Sequence, residues 1–379
     1  MLSCILYFVA YYVSSASSNF ARYLDEEVYI SCGLEYVGGV APIQCNFEHP
    51  PFAKYLIGFL SLFGVGRHAF LLLGVFTGFL IYLFARVYGY SLPGFIAGLL
   101  LVFDTIYFNT HRFLLLDPIA VFMAVSALYL YACGRLGLSA VFMGLAVASK
   151  FSSAPVLLGV LALLVFERRW REAVRYLLIA LAVYLSTYVA DLRLGWSTII
   201  VHHIEMYRYM SWRHGFSPAI AVIGFMKLLA RVEVWRQLGS INLIVSIVGS
   251  SVVPISNVFL PERGLYIDVF VGGGSVLWYL LFPALLYNTY KVLMGSNSSK
   301  FLYTVVLMSW LSLLNIVAGP LDWYYINVLP YLYLNLCLAL QGLSGRRFRF
   351  VAIVLALIQA SVFLATVFNL IPFKVVFIR

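Results

Sequence analysis

Four short stretches of this sequence hold residue types that lipid does not welcome. They are Asp25-Glu26-Glu27 in "ARYLDEEVYI", "EHPPFAK" at 48–54, "HRFLLLDP" at 111–118 and "SKFSS" at 149–153. Ionisable groups among apolar segments are costly, so a functional role is their default reading. Carboxylates supply a base, and separate Arg and Lys side chains supply fixed positive charge for an anionic leaving group. Acids near one end of a cavity and cations near another suit transfer from a phosphate-linked donor to a hydroxyl acceptor. Each group also has a plain structural reading. Acids in a helix's first turn meet its positive dipole end. Asp117-Pro118 reads as an Ncap–N1 pair, His49 before two prolines rigidifies a turn, and Arg112 and Lys150 can snorkel to headgroups. Singly the plain readings win; the convergence of all four groups on one predicted membrane face favours a site.

The elements that must position these residues are membrane helices. The 379-residue chain is 63% hydrophobic and 11% charged, with mean hydropathy +0.96. A soluble domain sits nearer half apolar and about a quarter charged, so the composition predicts an all-α polytopic membrane protein. Apolar blocks of roughly 17 to 25 residues imply helices, because in lipid each backbone amide must be satisfied within its own segment. Runs such as "FLLLGVFTGFLIYLFA" do not alternate, which excludes a lipid-facing barrel. A net charge of +10 would suggest nucleic acid on a soluble protein. Here the basic residues orient helices and meet lipid phosphates, and no nucleic-acid partner is expected.

Helices are predicted near 2–20, 66–88, 91–109, 116–133, 138–149, 152–166, 174–190, 274–292, 301–318, 325–342 and 350–371, eleven crossings in all. The basic loops "ERRWREAVR", "KVLMGSNSSK" and "GRRFR" then fall on one side, as the positive-inside rule asks. The N-terminus is cytoplasmic on this reading. The external loop 21–65 with the acidic cluster, the loop after Tyr107 and the segment 191–273 face outward. An apolar core followed by "SSASS" resembles a signal peptide, but no Lys or Arg precedes Arg22, so a retained first helix is expected. Lys150 interrupts the stretch 138–166; in one continuous helix it would cost about 2.5–3.5 kcal/mol on insertion scales. Two shorter helices meeting at an external turn place it at a cavity surface instead. The run "INLIVSIVGSSVVPISNVFL" within 191–273 reads as a short sheet or a re-entrant segment.

Cys4, Cys133 and Cys337 lie in apolar segments as packing residues. Cys32 and Cys45 share one external loop, where they form a disulfide or stay as free thiols. His202-His203, Glu205 and His214 are close in sequence, but adjacent histidines point apart on a helix, so no metal site is predicted.

The order of the motifs resembles the protein O-mannosyltransferases, which use dolichyl-phosphate mannose. The resemblance rests on Asp25-Glu26 after the first helix; His49-Pro50-Pro51-Phe52-Ala53-Lys54; Arg112 through Leu116-Asp117; and a glycine-containing helix from Gly144 to Lys150-Phe151. "MYRYMSWRHGFSP", "GGGSVLWYLLF" and "DWYYINVLPYLYL" extend it, so that it runs over about 25 to 335. It implies a GT-C fold, here a single domain over 1–379, and inverting transfer of a sugar from a polyprenyl or dolichyl phosphate to a Ser or Thr hydroxyl on the outer face. It implies Asp25 as base, with Glu26 orienting the acceptor. Arg112 and Lys150 would face the donor phosphate, with His49, Lys54 and Asp117 in support and Tyr324, Tyr325 and His214 on the acceptor side. No cofactor or metal is required, since the lipid-phosphate sugar is itself the donor substrate.

The departures concern the acceptor more than the reaction. The family's eukaryotic members carry a β-trefoil insert that 191–273 cannot hold, so the short form looks more like prokaryotic relatives. Tyr324-Tyr325-Ile326 stands where the family often has tyrosine-histidine-tyrosine, and Gly274-Ser275-Val276 replaces its Gly-Asn-Pro. The rival readings are the same donor with a lipid or lipid-linked glycan acceptor, and a non-catalytic lipid-phosphate transporter. Sugar, lipid length, acceptor and dimerisation are not written in the sequence.

Overall fold

A computed structural model describes residues 2–16, 24–214, 253–260, 265–271, 275, 277–295, 299–317, 326–368 and 374–378. The described chain is a helical assembly with one small sheet. In order its helices are α1 (Leu2–Ala16), α2 (Leu24–Val37), α3 (Phe52–Leu62), α4 (Gly66–Val87), α5 (Ser91–Val102), α6 (Thr105–His111), α7 (Leu116–Ala132), α8 (Leu136–Ser149), α9 (Ala154–Phe166), α10 (Trp170–Ser186), α11 (Ser197–His214), α12 (Trp278–Leu293), α13 (Lys300–Val317), α14 (Leu329–Leu340) and α15 (Gly345–Val367). The sheet is β1 (Val253–Leu260), β2 (Leu265–Val271) and β3 (Lys374–Ile378), antiparallel throughout, with Leu260 opposite Leu265 and Ile267 opposite Ile378. The end of the run expected as sheet or re-entrant segment is therefore strand β1; its residues 241–252 lie outside the described residues.

Among the described residues, α4 and α15 are long and apolar enough to cross a membrane, and α5 and α6 reach that length only as a pair, bent by 65° at the break between them. Shorter apolar helices, among them α7, α8, α9 and α14, surround them. The expected helix 91–109 is thus broken in two. Asp104 causes the break: its carboxylate accepts the Tyr107 amide at 2.9 Å and caps α6. The stretch 138–166 is also two helices, α8 and α9, joined through Lys150 and a 3-10 turn at Phe151–Ser153. The stretch expected as an external loop is more ordered than the sequence suggested, since it contains α2 and α3.

Small residues bring the helices together, as they do where lipid removes the hydrophobic drive for association. Gly78 on α4 faces Gly98 on α5; a Cβ on Gly78 would lie 2.6 Å from Val102 and 2.9 Å from the Gly98 carbonyl. The main buried cluster runs from Ile81 and Leu100 through Val125, Met143 and Val160 to Leu285, Val305 and Leu334. Phe76, Phe79, Leu178, Leu181, Ile353 and Leu357 point outward, as lipid-facing residues do.

Candidate active site

Three consecutive acids on one helical turn are about 100° apart, so they cannot all share an environment. In the first turn of α2, Asp25 and Glu27 are exposed and Glu26 is buried. Glu26 accepts Arg67 Nε at 3.2 Å and Nη2 at 2.9 Å through its two oxygens, and Oε1 also accepts the Leu114 amide at 3.1 Å. One carboxylate thereby joins α2 to α4 and to the loop between α6 and α7. The bidentate fork fixes its orientation as well as its charge. Glu26, expected to orient an acceptor, makes these three bonds within the fold.

Arg112 follows α6 as its C-cap and is 5% exposed. Its guanidinium lies 5.8 Å from the Phe108 ring and 5.9 Å from the Phe113 ring, within cation–π range. Two residues on, Leu114 meets Glu26, so the cation-bearing loop and the acid-bearing helix adjoin.

Asp117 is in the first turn of α7, but Leu115 is the cap, not Asp117. The proline after Asp117 starts the helix no earlier than Leu116, and the carboxylate turns to a partner instead. Lys150 Nζ donates to Asp117 Oδ2 at 2.6 Å, and Asn327 Nδ2 donates to Asp117 Oδ1 at 3.0 Å. Ser152 Oγ donates to Asn327 Oδ1 at 3.1 Å. The pair is buried on both sides. Lys150 does mark the break between two helices, as expected, and its charge is balanced there by Asp117.

Lys54 and His49 pack against α2. Lys54 is fully buried in α3 and donates to the Asn46 backbone oxygen, to Asn46 Oδ1 at 3.2 Å and to the His49 carbonyl at 2.9 Å. Its ammonium sits 5.3 Å over the Tyr36 ring. Burial pulls its pKa down to about 7, against the pull of Glu48 and Asp191. The His49 ring packs edge-on to Tyr29, one turn after Asp25, at 6.2 Å. Helices α2 and α3 touch backbone to backbone: a Cβ on Gly33 would meet the Lys54 carbonyl at 2.5 Å and the Gly58 amide at 2.7 Å. Cys32 on α2 and Cys45 are bonded as a disulfide, which pins the loop to the same helix.

Three partners escaped the sequence reading. Arg67, in the first turn of α4, was the signal for Glu26, being a cation where an apolar helix begins. Asp104, beyond its cap, accepts Trp278 Nε1 and Tyr333 Oη, each at 2.7 Å, and Gln359 donates to Tyr333 Oη at 3.0 Å. The third is Asp191, whose Oδ2 lies 2.7 Å from His202 Nδ1. Tyr324 and Tyr325 lie outside the described residues, as does the side chain of His214. Among the described residues no group of three His, Cys, Asp or Glu side chains is placed to hold a metal ion.

Residues 48–190, the segment that holds Lys54, Arg112, Asp117 and Lys150, match the family model of Dolichyl-phosphate-mannose-protein mannosyltransferase. Solved structures share the fold. The oligosaccharyltransferase AglB from Archaeoglobus fulgidus, in complex with an inhibitory peptide and a dolichol-phosphate, aligns with TM-score 0.54 and 14% identity over 97% of this chain and 56% of its own. ArnT from Cupriavidus metallidurans, bound to undecaprenyl phosphate, aligns with TM-score 0.53 and 16% identity over 93% of this chain and 62% of its own. The chain therefore spans somewhat more than half the length of the structures whose fold it shares. No curated protein sequence matches it.

Proposed function

We infer that this chain is an inverting glycosyltransferase, moving a sugar, mannose on the family's precedent, from a polyprenyl or dolichyl phosphate to a Ser or Thr hydroxyl of a protein. The observation that carries this reading is the bond from the Leu114 amide to Glu26. It sets an exposed carboxylate, Asp25, on the same helical turn as a group that contacts the loop of the buried cation Arg112. On this reading a base for the acceptor and a charge for the departing phosphate serve one site, with Arg112 inside the match to the mannosyltransferase family and Asp25 ahead of it.

In this mechanism Asp25 takes the acceptor hydroxyl's proton as the oxygen attacks the anomeric carbon. The bond from that carbon to the phosphate oxygen breaks, and its electron pair leaves on the phosphate. The leaving group is a stable anion, so fixed positive charge suffices and a general acid is not needed. Arg112 supplies that charge. Lys150, paired with Asp117, is a supporting cation. Neither a metal nor a cofactor is required by these steps. We place the site on the extracytoplasmic face of a single eleven-crossing domain with a cytoplasmic N-terminus, because that arrangement gathers the basic loops on the other side. Tyr324, Tyr325 and His214 are assigned to the acceptor side by the family resemblance.

The test is Asp25→Asn in the purified full chain, supplied with a panel of polyprenyl-phosphate sugars and both peptide and lipid acceptors, products read by mass spectrometry. The expected result is mannosylated peptide with wild type and a loss of at least about 100-fold with the variant. Near-normal transfer by the variant would overturn Asp25 as base. Transfer to lipid alone would move the reading to the rival acceptor.

A further inference from the structure

The stretch Asn46–His49, which opens the His-Pro-Pro motif, has three of its carbonyls turned onto two buried side chains. Lys54 takes the Asn46 and His49 carbonyls. His202 faces that of Phe47: its Nε2 lies 3.0 Å from the Phe47 carbonyl oxygen, while its Nδ1 lies 2.7 Å from Asp191 Oδ2. Both His202 and Asp191 are fully buried. The other oxygen of Asp191 accepts the Ile43 amide at 3.1 Å. Two side chains from the far side of the fold, Asp191 before α11 and His202 within it, thus hold the loop at Ile43 and at Phe47. The same loop leans on α2 through His49 and Tyr29, and on α11 through Phe47 and Tyr209, whose rings are 6.0 Å apart.

Each ring nitrogen of His202 faces an oxygen that can only accept. A neutral imidazole has one N–H and makes one of these bonds; the imidazolium has two and makes both. Its neighbour has the opposite arrangement. His203 Nδ1 lies 2.7 Å from the Ile199 carbonyl and its Nε2 is 2.9 Å from Tyr184 Oη, a hydroxyl able to donate, so a neutral ring satisfies both.

We propose that Asp191 and protonated His202 are a positioning pair, which clamps the Asn46–His49 loop between α11 and α2 and so sets where Asp25 stands relative to the acceptor. The proposal rests on the glycosyltransferase reading for its catalytic consequence, but not for the clamp itself. Other groups face the pair from every side. They are Tyr188, just beyond α10, its ring 5.0 Å from His202; His203 at 6.1 Å; and Lys54, Tyr55 and Tyr36, each of which feels the Asp191 charge. Arg193 acts on Tyr55 from the same side, and Glu48 acts on Lys54. Burial draws Lys54 down to about 7, so a pH-dependent rate alone does not single out His202 and its ring is read directly.

The experiment uses the full chain in lipid nanodiscs. Ring ¹⁵N signals of labelled histidine, with His202 assigned by its loss in His202→Gln, report its protons across a pH series, and hydrogen exchange reports the amides of 43–49. The expected result is two protonated ring nitrogens at low pH. On loss of one, exchange over 43–49 should quicken by about tenfold beyond the intrinsic pH effect, the size expected for one charge-assisted bond. His202→Phe should exchange faster at every pH, and His202→Gln should show no pH step. In the transfer assay the wild-type rate should fall over the same pH interval, with a raised acceptor KM, and His202→Gln should lack that limb. A ring that is neutral throughout, or exchange over 43–49 that ignores both substitutions, overturns the clamp. A chain that transfers no sugar overturns the functional reading instead, and the two spectroscopic arms still decide the clamp.

Discussion

The bond set of Glu26 can be weighed by a double-mutant cycle with Arg67. Glu26→Gln keeps the shape and an oxygen for the Leu114 amide, but it removes the charge and turns an N–H₂ toward the guanidinium. Two charge-assisted bonds weaken, each worth about 1.5–3 kcal/mol where buried. Arg67 is 37% exposed while Glu26 is 1% exposed, so water screens part of that loss, leaving about 2 kcal/mol. Arg67→Ala is worse, because it strands a buried carboxylate on one amide; breaking a buried pair costs about 3–5 kcal/mol, and the same screening brings this to about 3 kcal/mol. The double variant strands nothing. It should resemble Glu26→Gln alone, giving a coupling of about 2–3 kcal/mol between the two sites. The measurement is denaturation of the detergent-solubilised chain followed by the fluorescence of its seven tryptophans. If the two losses add to within about 0.5 kcal/mol, the pair does not act as a unit and Glu26 is not what holds α2. Asp25→Asn, by contrast, should leave the denaturation midpoint where it was while removing transfer.

Gly58→Ala should separate α2 from α3, since a Cβ there has the backbone of Gly33 and Leu34 in its way; circular dichroism should stay helical while transfer falls at least about tenfold. Lys54, at about 7 in the folded chain against an ordinary 10.5, binds its proton more tightly when unfolded. Stability should therefore rise as pH increases from about 7 toward 10.5, and fall to its lower plateau below that window. Lys54→Met should flatten this slope in chemical denaturation run as a pH series. Arg112→Ala should cut kcat/KM for the lipid-phosphate donor by about 100-fold, the scale for one electrostatic group at a developing charge; an unchanged donor response removes Arg112 from the phosphate site.

Much of this architecture was legible in one dimension because lipid imposes simple rules. Apolar length set the helices, and the predicted 66–88 and 116–133 differ from the observed Gly66–Val87 and Leu116–Ala132 by one residue at one end. Lys150 inside an apolar run announced a break, because a buried ammonium within a continuous helix is too costly. The four polar groups were found for the same reason, and their adjacency is real: Glu26 meets Leu114, and Asp117 meets Lys150. What each carboxylate does was decided elsewhere. A helical turn presents three acids in three directions, and only the packing of α4 chooses which is buried with Arg67. Asp117 looked like a cap and is an ion-pair partner, because Lys150 arrives from 33 residues away. His202 looked like a failed metal ligand and is bound to Asp191 and Phe47, 11 and 155 residues distant. Hydropathy is a local property and survives in the sequence; the partner of a buried charge is not, and only the closed tertiary structure supplies it.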